Sequence, residues 1–115
     1  MAIDIKELFN DKLPVALERN KAKAQAMKGR FQINITGEKG GSWYIDCISD
    51  PPSCVPGTGD APDATLTISD SNFQELAKDP AKKAPGMYMW GKIKIEGSTV
   101  KAISCAKLLG TFVGK

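Results

Sequence analysis

The sequence has no histidine among its 115 residues, and no apolar run reaches the length of a membrane-spanning helix. Without histidine the chain lacks an imidazole base, a histidine-activated serine or cysteine nucleophile, and the commonest zinc ligand in proteins. Most familiar hydrolase mechanisms are thereby excluded. A chain of this length can bury one modest hydrophobic core but not two, so we expect a single domain over residues 1–115.

Cysteine is scarce, and its spacing does not suit cross-linking. There are three cysteines, an odd number, and no two of them have C-x-x-C spacing: Cys47, Cys54 and Cys105. This argues against a disulfide framework and a structural metal site, so we predict three reduced thiols, no metal and no other cofactor. The first ten residues, MAIDIKELFN, include three charged side chains where a secretory signal would need an apolar run. We therefore expect a cytoplasmic protein.

The net charge is a mild +3, but the charges are unevenly distributed. Residues 1–30 carry +3, residues 31–79 carry −6, and residues 80–115 carry +6. A basic segment of this kind attracts nucleic acid, anionic membrane surfaces or acidic small molecules, and it is also compatible with a plain solvated lysine-rich face. Charge alone does not decide between these alternatives.

The first part of the chain predicts helix followed by a β-hairpin. The segment DIKELFNDKL has helical apolar spacing, and Asp4 is suited to cap it. Pro14 is predicted to interrupt this helix before a second helical stretch, which Gly29 ends. The segments FQINIT (31–36) and SWYIDC (42–47) alternate apolar and polar residues on either side of the turn sequence GEKGG, which is typical of an antiparallel hairpin.

The remainder predicts strands alternating with helices. Four prolines mark residues 49–63 as a loop, with a short edge strand near Cys54. The glycines of this loop have no following helix and are interpreted as a turn, not a phosphate-binding loop. ATLTIS is an alternating strand, and Ser69 or Asp70 can cap the helix after it. KIKIEG is the final strand, and Ser98 can cap a last helix.

One stretch, GMYMWGKIKIEG (86–97), places four large side chains in a row directly before this final strand. They are Met87, Tyr88, Met89 and Trp90. Methionine is unbranched and adaptable, so such a cluster is either ordinary core or a wall that accepts ligands of varied shape. The local sequence leaves both interpretations open.

The predicted strands share one apolar face that helices must cover. The residues on this face are Phe31, Ile33, Ile35, Trp43, Ile45, Leu66, Ile68, Ile93 and Ile95. The covering helices supply the small residues Ala22, Ala24, Ala26, Ala102 and Ala106. Small residues over large ones either leave a cavity or interlock at normal density, and the pattern by itself favours interlocking.

Three segments then carry a resemblance to a known family. In chain order, these segments are SWYID, PDATLTISDSNF and APGMYMWGKIKIEGSTVKA. They supply an acidic residue (Asp63), a strand, a short helix with Phe73, and the pattern Gly-Lys-hydrophobic-Lys-hydrophobic-x-Gly at 91–97. In this order and spacing the chain resembles the sterol carrier protein domain, the nonspecific lipid-transfer family. The resemblance covers essentially the whole chain and is strongest over residues 31–106.

The resemblance implies an α+β fold, in which a five-stranded, mainly antiparallel sheet is covered on one face by about five helices. It also implies an apolar tunnel between the two layers, holding fatty acids, fatty acyl-CoA, sterols or phospholipids, and no catalytic residues. The lipid-binding residues expected from it are Ile33, Ile35, Trp43, Ile45, Phe73, Leu76, Met87, Tyr88, Met89, Trp90, Ile103, Leu108, Leu109 and Phe112. The lysines expected to contact a headgroup or a membrane are Lys92, Lys94, Lys101 and Lys107.

The sequence departs from the family pattern at three places. Pro85-Gly86 is predicted to shorten the helix before the final strand, and the loop over residues 49–63 is long and rich in proline. The chain ends in TFVGK where relatives commonly have the peroxisomal signal Ser-Lys-Leu. We therefore do not expect peroxisomal import by that signal.

Two functions of different classes follow. The first is a noncatalytic carrier that binds a lipid and transfers it between membranes or enzymes, as a monomer with transient contact to anionic membranes and none to nucleic acid. The second is an accessory module that presents acyl substrates to a partner enzyme, with Lys82, Lys83 and the lysines above contacting a CoA phosphate or an acidic surface. Catalysis by the chain itself ranks third, because its carboxylates Asp46, Glu75 and Glu96 form no visible pair.

Overall fold

The computed structural model describes residues 4–48 and 52–105. The chain begins with α1 (Ile5–Glu7), a π-helical segment (Leu8–Lys12), α2 (Leu13–Arg19) and α3 (Lys21–Ala26). Four strands follow, β1 (Arg30–Thr36), β2 (Gly41–Asp46), β3 (Ser53–Pro56) and β4 (Ala64–Ser69). Then come α4 (Asp70–Lys78), α5 (Pro80–Met89) and β5 (Ile93–Gly97), and residues 99–105 are again helical.

The five strands form one sheet in the order β3-β2-β1-β4-β5. The predicted hairpin of β1 and β2 is confirmed, and β3 pairs antiparallel with β2 as the predicted edge strand. β1 and β4 run parallel, whereas β4 and β5 are antiparallel. The predicted α+β fold, a mainly antiparallel five-stranded sheet with helices on one face, is therefore confirmed, with one parallel pair at its centre.

The strand register aligns the apolar residues into rows across the inner face. Ile33 lies opposite Trp43 in β2 and opposite Leu66 in β4. Ile35 lies opposite Ile68 in the next row. Because side chains alternate along each strand, this register sends every apolar row to the face that the helices cover. The hydrophobic core is the layer between that face and the helices.

The N-terminal helical region differs from its prediction at one point. Asp4 caps it as predicted, since Asp4 Oδ1 accepts from the Glu7 N–H at 3.0 Å. Pro14 does not interrupt the helix. The turn before it widens instead, with the Leu13 N–H donating to the Leu8 carbonyl, and Pro14 takes a position at the start of α2 where its missing N–H is tolerated.

The prediction that Pro85-Gly86 shortens the helix before the final strand is wrong. Helix α5 continues through Pro85 to Met89. Proline has a φ that a helix accepts, and α5 continues past the one backbone hydrogen bond that Pro85 cannot donate. The helix ends at Met89 with Trp90 as its C-cap, and Gly91 follows with a φ of +76°, the left-handed conformation that glycine adopts without a side-chain clash.

On the outer face of the sheet, the loop after β3 is attached through one buried amide. Gln32 Nε2 donates to the carbonyls of Trp43 and Gly57, both at 3.1 Å, and Gln32 Oε1 accepts from the Gly59 N–H at 3.0 Å. The loop passes so close to the ring of Tyr44 that a Cβ at Gly59 would lie 2.3 Å from it. These contacts hold the two loop glycines against β1 and β2, where Gly57 lies in a bend.

Ser69 caps α4 by accepting from the Asn72 N–H at 3.1 Å. Ser98 Oγ accepts from the Lys101 N–H at 3.3 Å, so the predicted cap of the last helix is confirmed as well. In the part of the chain that the structure describes, no helix is both long and apolar enough to cross a membrane.

Candidate functional site

The layer between sheet and helices contains half of the predicted lipid-binding residues. Seven of them are core residues with 1–8% of their surface exposed: Ile33, Ile35, Trp43, Ile45, Phe73, Leu76 and Met87. Ile103 is half-buried. Leu108, Leu109 and Phe112 lie outside the described residues. The seven core residues thus form one apolar surface, to which the sheet contributes four side chains and helices α4 and α5 contribute three.

Phe9 is a central member of this layer that the sequence did not single out as a site residue. Its ring stacks on the indole of Trp43, with centroids 4.6 Å apart, and lies 5.7 Å from the ring of Phe73. The indole Nε1 donates to Asn10 Oδ1 at 2.8 Å. The helical apolar spacing identified the buried side of this helix, but only the fold brings Phe9 onto a residue of β2.

The π-helical segment leaves the backbone carbonyl of Phe9 without a helical partner. A π-helical partner for the Phe9 carbonyl would be the N–H of residue 14, which is proline and has none. The Sγ of Cys54, on edge strand β3, donates to this carbonyl at 3.4 Å instead. The N-terminal helices are therefore joined to the sheet through both the ring and the backbone of Phe9.

The four large residues at 87–90 are divided by the helix and do not form one wall. Met87, Tyr88 and Met89 belong to α5, and Trp90 is its C-cap. Met87 is 8% exposed and packs in the core, whereas Met89 and Trp90 are each 84% exposed. Tyr88 is also exposed. Of the two sequence interpretations, core packing applies to Met87 alone.

The small residues that either leave a cavity or interlock with the sheet are also divided. Ala24 and Ala102 are fully buried, whereas Ala22 and Ala26 are exposed. Ala106 lies outside the described residues. Only part of the expected small-residue surface therefore faces the sheet.

A groove of about 300 Å³ lies beside Met87, between α4, α5 and the turn into β5. Its lining residues are Glu75, Lys82, Lys83, Gly86, Met87, Trp90 and Lys92. Glu75 accepts from Lys83 Nζ at 2.8 Å and from Lys78 Nζ at 3.1 Å. These two bonds, that of Lys83 first, lower the pKa of Glu75 to about 2, so its carboxylate is ionised at neutral pH.

The lysines predicted to contact a headgroup or membrane occupy different places. Lys92 and Lys94 are exposed, but only Lys92 lines the groove. Lys101 is half-buried, and its Nζ donates to the Lys28 carbonyl at 3.2 Å and lies 3.9 Å from Asp63 Oδ1. Lys107 lies outside the described residues. The described lysines of the last third of the chain therefore lie on more than one surface.

The three cysteines are buried free thiols, as predicted. Burial raises the pKa of Cys47 to about 11 and that of Cys54 to about 12, and it raises the pKa of Cys105 well above the usual value. Thiols with such pKa values stay protonated at neutral pH and are poor nucleophiles. The three thiols therefore behave as apolar side chains at neutral pH.

The fold and its apolar layer agree with the family that comparison with known proteins identifies. The model of the SCP-2 sterol transfer family matches residues 9–110, and the chain belongs to this family. A fatty acid-binding protein of Yarrowia lipolytica is 33% identical over 97 residues, which cover 77% of this chain and 74% of that protein. Hydroxysteroid dehydrogenase-like protein 2 of Bos taurus is 28% identical over 92 residues, but the chain spans only 22% of its length.

Solved structures show the same fold. Sterol carrier protein 2 from Yarrowia lipolytica, in its apo form, matches with a TM-score of 0.68 and 25% identity, covering 94% of this chain and 84% of that chain. The sterol carrier protein domain 2 of Helicoverpa armigera matches with a TM-score of 0.69 and 26% identity, covering 97% and 91%. Palmitated SCP2L2 from Aedes aegypti matches with a TM-score of 0.54 and 25% identity, covering 84% and 95%.

Proposed function

We propose that this protein is a noncatalytic lipid carrier, which binds the acyl chain of a fatty acid, fatty acyl-CoA or phospholipid, or a sterol, between its sheet and its helices. The observation that carries the proposal is the continuous apolar layer of seven predicted residues, in a chain of the SCP-2 sterol transfer family. The palmitated relative from Aedes aegypti and the fatty acid-binding relative from Yarrowia lipolytica support an acyl ligand. The carrier acts as a cytoplasmic monomer.

The driving force for such binding is burial of methylene groups. Each methylene that leaves water for an apolar site contributes about 0.8 kcal/mol. An acyl chain placed between sheet and helices contacts aliphatic and aromatic side chains, and the one indole N–H among the seven residues, that of Trp43, is already bonded to Asn10, so the position of the chain along the layer is weakly constrained. Loose selectivity among lipids of similar width follows from this.

A chain-length series tests the proposal. Saturated fatty acids of increasing length should displace a fluorescent acyl probe with affinity rising by about fourfold per methylene until the space is filled. The longest chains should bind in the micromolar range, roughly −8 kcal/mol. The proposal fails if no lipid class displaces the probe, or if affinity is independent of chain length.

Release and uptake require contact with a membrane. We propose that this contact is electrostatic, because residues 80–115 carry +6. Each exposed lysine near an anionic surface contributes about 1 kcal/mol, and salt screens this attraction. Transfer from vesicles should therefore speed up with their anionic lipid content and slow down with salt. Equal rates from neutral and anionic vesicles would contradict electrostatic contact.

A second candidate function is an accessory module that presents acyl substrates to an enzyme. The specific observation in its favour is the match to hydroxysteroid dehydrogenase-like protein 2, in which the similar region is a minor part of a longer chain. This candidate requires one stable protein partner, whereas a carrier does not. Co-purification of one enzyme at fixed stoichiometry from the source cell would favour the accessory module, and lipid without such an enzyme would favour the carrier.

A further inference from the structure

The groove beside Met87 has a rigid wall at the end of α5. The Lys92 N–H donates to the Met87 carbonyl at 2.8 Å, and the Gly91 N–H donates to the Tyr88 carbonyl at 3.1 Å. Together with the left-handed conformation of Gly91, these two bonds form a Schellman motif, which closes the helix in a defined geometry. Trp90 and Lys92 flank this glycine, so the positions of their backbones in the groove are determined before any ligand binds.

The groove carries a net positive charge that its own residues do not neutralise. Three lysines and one glutamate line it, which leaves +2. Glu75 is already bonded to Lys83 and Lys78. Lys82 and Lys92 form no ion pair with any residue in the described ranges, 4–48 and 52–105. These two ammonium groups are therefore available to an anion.

The groove also borders the apolar layer at one residue. Met87 lines the groove and at the same time belongs to the buried core. A molecule with a charged end in the groove could therefore place its apolar chain past Met87, among the core residues Phe73 and Leu76 on α4. The exposed indole of Trp90 offers an apolar and polarisable surface to the rest of the charged end.

We propose that this groove binds the phosphate group of a single-chain lipid, held by Lys82 and Lys92, with the acyl chain in the apolar layer. The inference rests on the proposed function, because it needs that layer to accept the chain. A phosphate monoester carries about −1.5 to −2 at neutral pH, which matches the +2 of the groove. Lysine binds phosphate as a point charge and needs no fixed fork geometry, so two flexible lysines suffice.

Two lipids that differ only in the phosphate test the proposal. They are 1-palmitoylglycerol 3-phosphate and 1-palmitoylglycerol, each measured by displacement of a fluorescent acyl probe. The protein should bind the phosphorylated lipid at least about tenfold more tightly, since hydrogen bonds to charged groups contribute more than neutral ones. The double variant Lys82→Gln and Lys92→Gln should lose this preference and keep its affinity for 1-palmitoylglycerol.

A control variant separates a local effect from net charge. Lys23→Gln with Lys39→Gln removes the same charge from two exposed lysines that do not line the groove, and it should keep the full preference. The inference is overturned if the groove variant retains the preference, or if both double variants lose it equally. If neither palmitoyl lipid displaces the probe, the proposed function itself fails and this inference with it.

Palmitoyl-CoA and inorganic phosphate then identify the source of the phosphate. If Lys82→Gln with Lys92→Gln weakens palmitoyl-CoA as much as the glycerol phosphate, the groove also accepts a nucleotide phosphate. Trp90→Ala should in that case weaken palmitoyl-CoA further, through loss of stacking on the purine. If millimolar inorganic phosphate competes with the phosphorylated lipid but not with 1-palmitoylglycerol, this would support a phosphate site in the groove. Equal competition against 1-palmitoylglycerol would overturn it.

Discussion

The ring of Phe9 stacks on the indole of Trp43, with centroids 4.6 Å apart and planes inclined by 16°. Phe9 belongs to the π-helical segment near the N-terminus, and Trp43 belongs to β2. The stack packs the π-helical segment onto β2, next to the edge strand β3, whose Cys54 donates to the Phe9 carbonyl. The same indole donates to Asn10, the neighbour of Phe9, so one side chain makes both the apolar and the polar contact between these elements.

The polar contact can be isolated in a mutant cycle. Asn10→Ala should destabilise the protein by about 1 kcal/mol, because it leaves the indole N–H of Trp43 without its partner. In a Trp43→Phe background the N–H is absent, and the same Asn10 substitution should cost close to nothing. Urea unfolding of the four proteins measures both values. Equal costs in the two backgrounds would show that Asn10 acts through some other contact.

The two methionines of α5 should behave in opposite ways. Met87→Ala should cost about 2–5 kcal/mol of unfolding free energy, because it empties a buried site. Met89→Ala should stay within about 0.5 kcal/mol of the parent, because its side chain is 84% exposed. Each is the natural control for the other, since the same substitution is made two residues apart in one helix. Comparable losses of stability would contradict the division of this stretch into core and surface.

The carboxylate of Glu75 should titrate near pH 2 in the folded protein. Its lowered pKa means that its ion pairs add stability above the usual pKa of 4.5 and that this contribution is lost as the pH falls through about 2. Lys83→Gln should raise the pKa towards its usual value more than Lys78→Gln does, because the Lys83 bond is the larger cause. Side-chain carboxyl chemical shifts followed by NMR measure the effect. The reverse order would mean that Lys78 is the dominant partner.

The buried thiols should make the protein less stable at high pH. The pKa values of Cys47 and Cys54 rise to about 11 and 12 in the folded state, whereas an unfolded thiol ionises near 9. The unfolded state therefore gains charge first, and stability should decrease as the pH rises from about 9 towards 11. Denaturant unfolding at several pH values tests this. A Cys54→Ala variant should show a smaller decrease, although it also loses the bond to the Phe9 carbonyl.

Thiol reactivity gives an independent readout of the same burial. The folded protein should react very slowly with a thiolate-selective reagent at pH 8, and the unfolded protein should expose all three cysteines. Rapid labelling of the folded protein would contradict the raised pKa values.

Several elements could be predicted because their signals are local. The alternation in β1, β2 and β4 has the period of two that is typical of a strand with one face in the core, and Asp4 and Ser69 cap helices within three residues of themselves. The continuation of α5 through Pro85 could not be predicted, because helix propensity there is overruled by packing. The parallel pairing of β1 with β4 likewise depends on contacts between segments far apart in the chain.

By itself the sequence determined which residues are apolar at strand and helix spacing, and hence the inner face of the sheet and the family resemblance. Only the tertiary structure decided which of these residues meet. Phe9 of the π-helical segment meets Trp43 of β2, and Met87 points inward while Met89 points outward, because the N-terminal segment and α5 each have a definite orientation against the core. Helix rotation and register depend on the sum of many weak packing contacts between distant segments, which no local pattern of residues records.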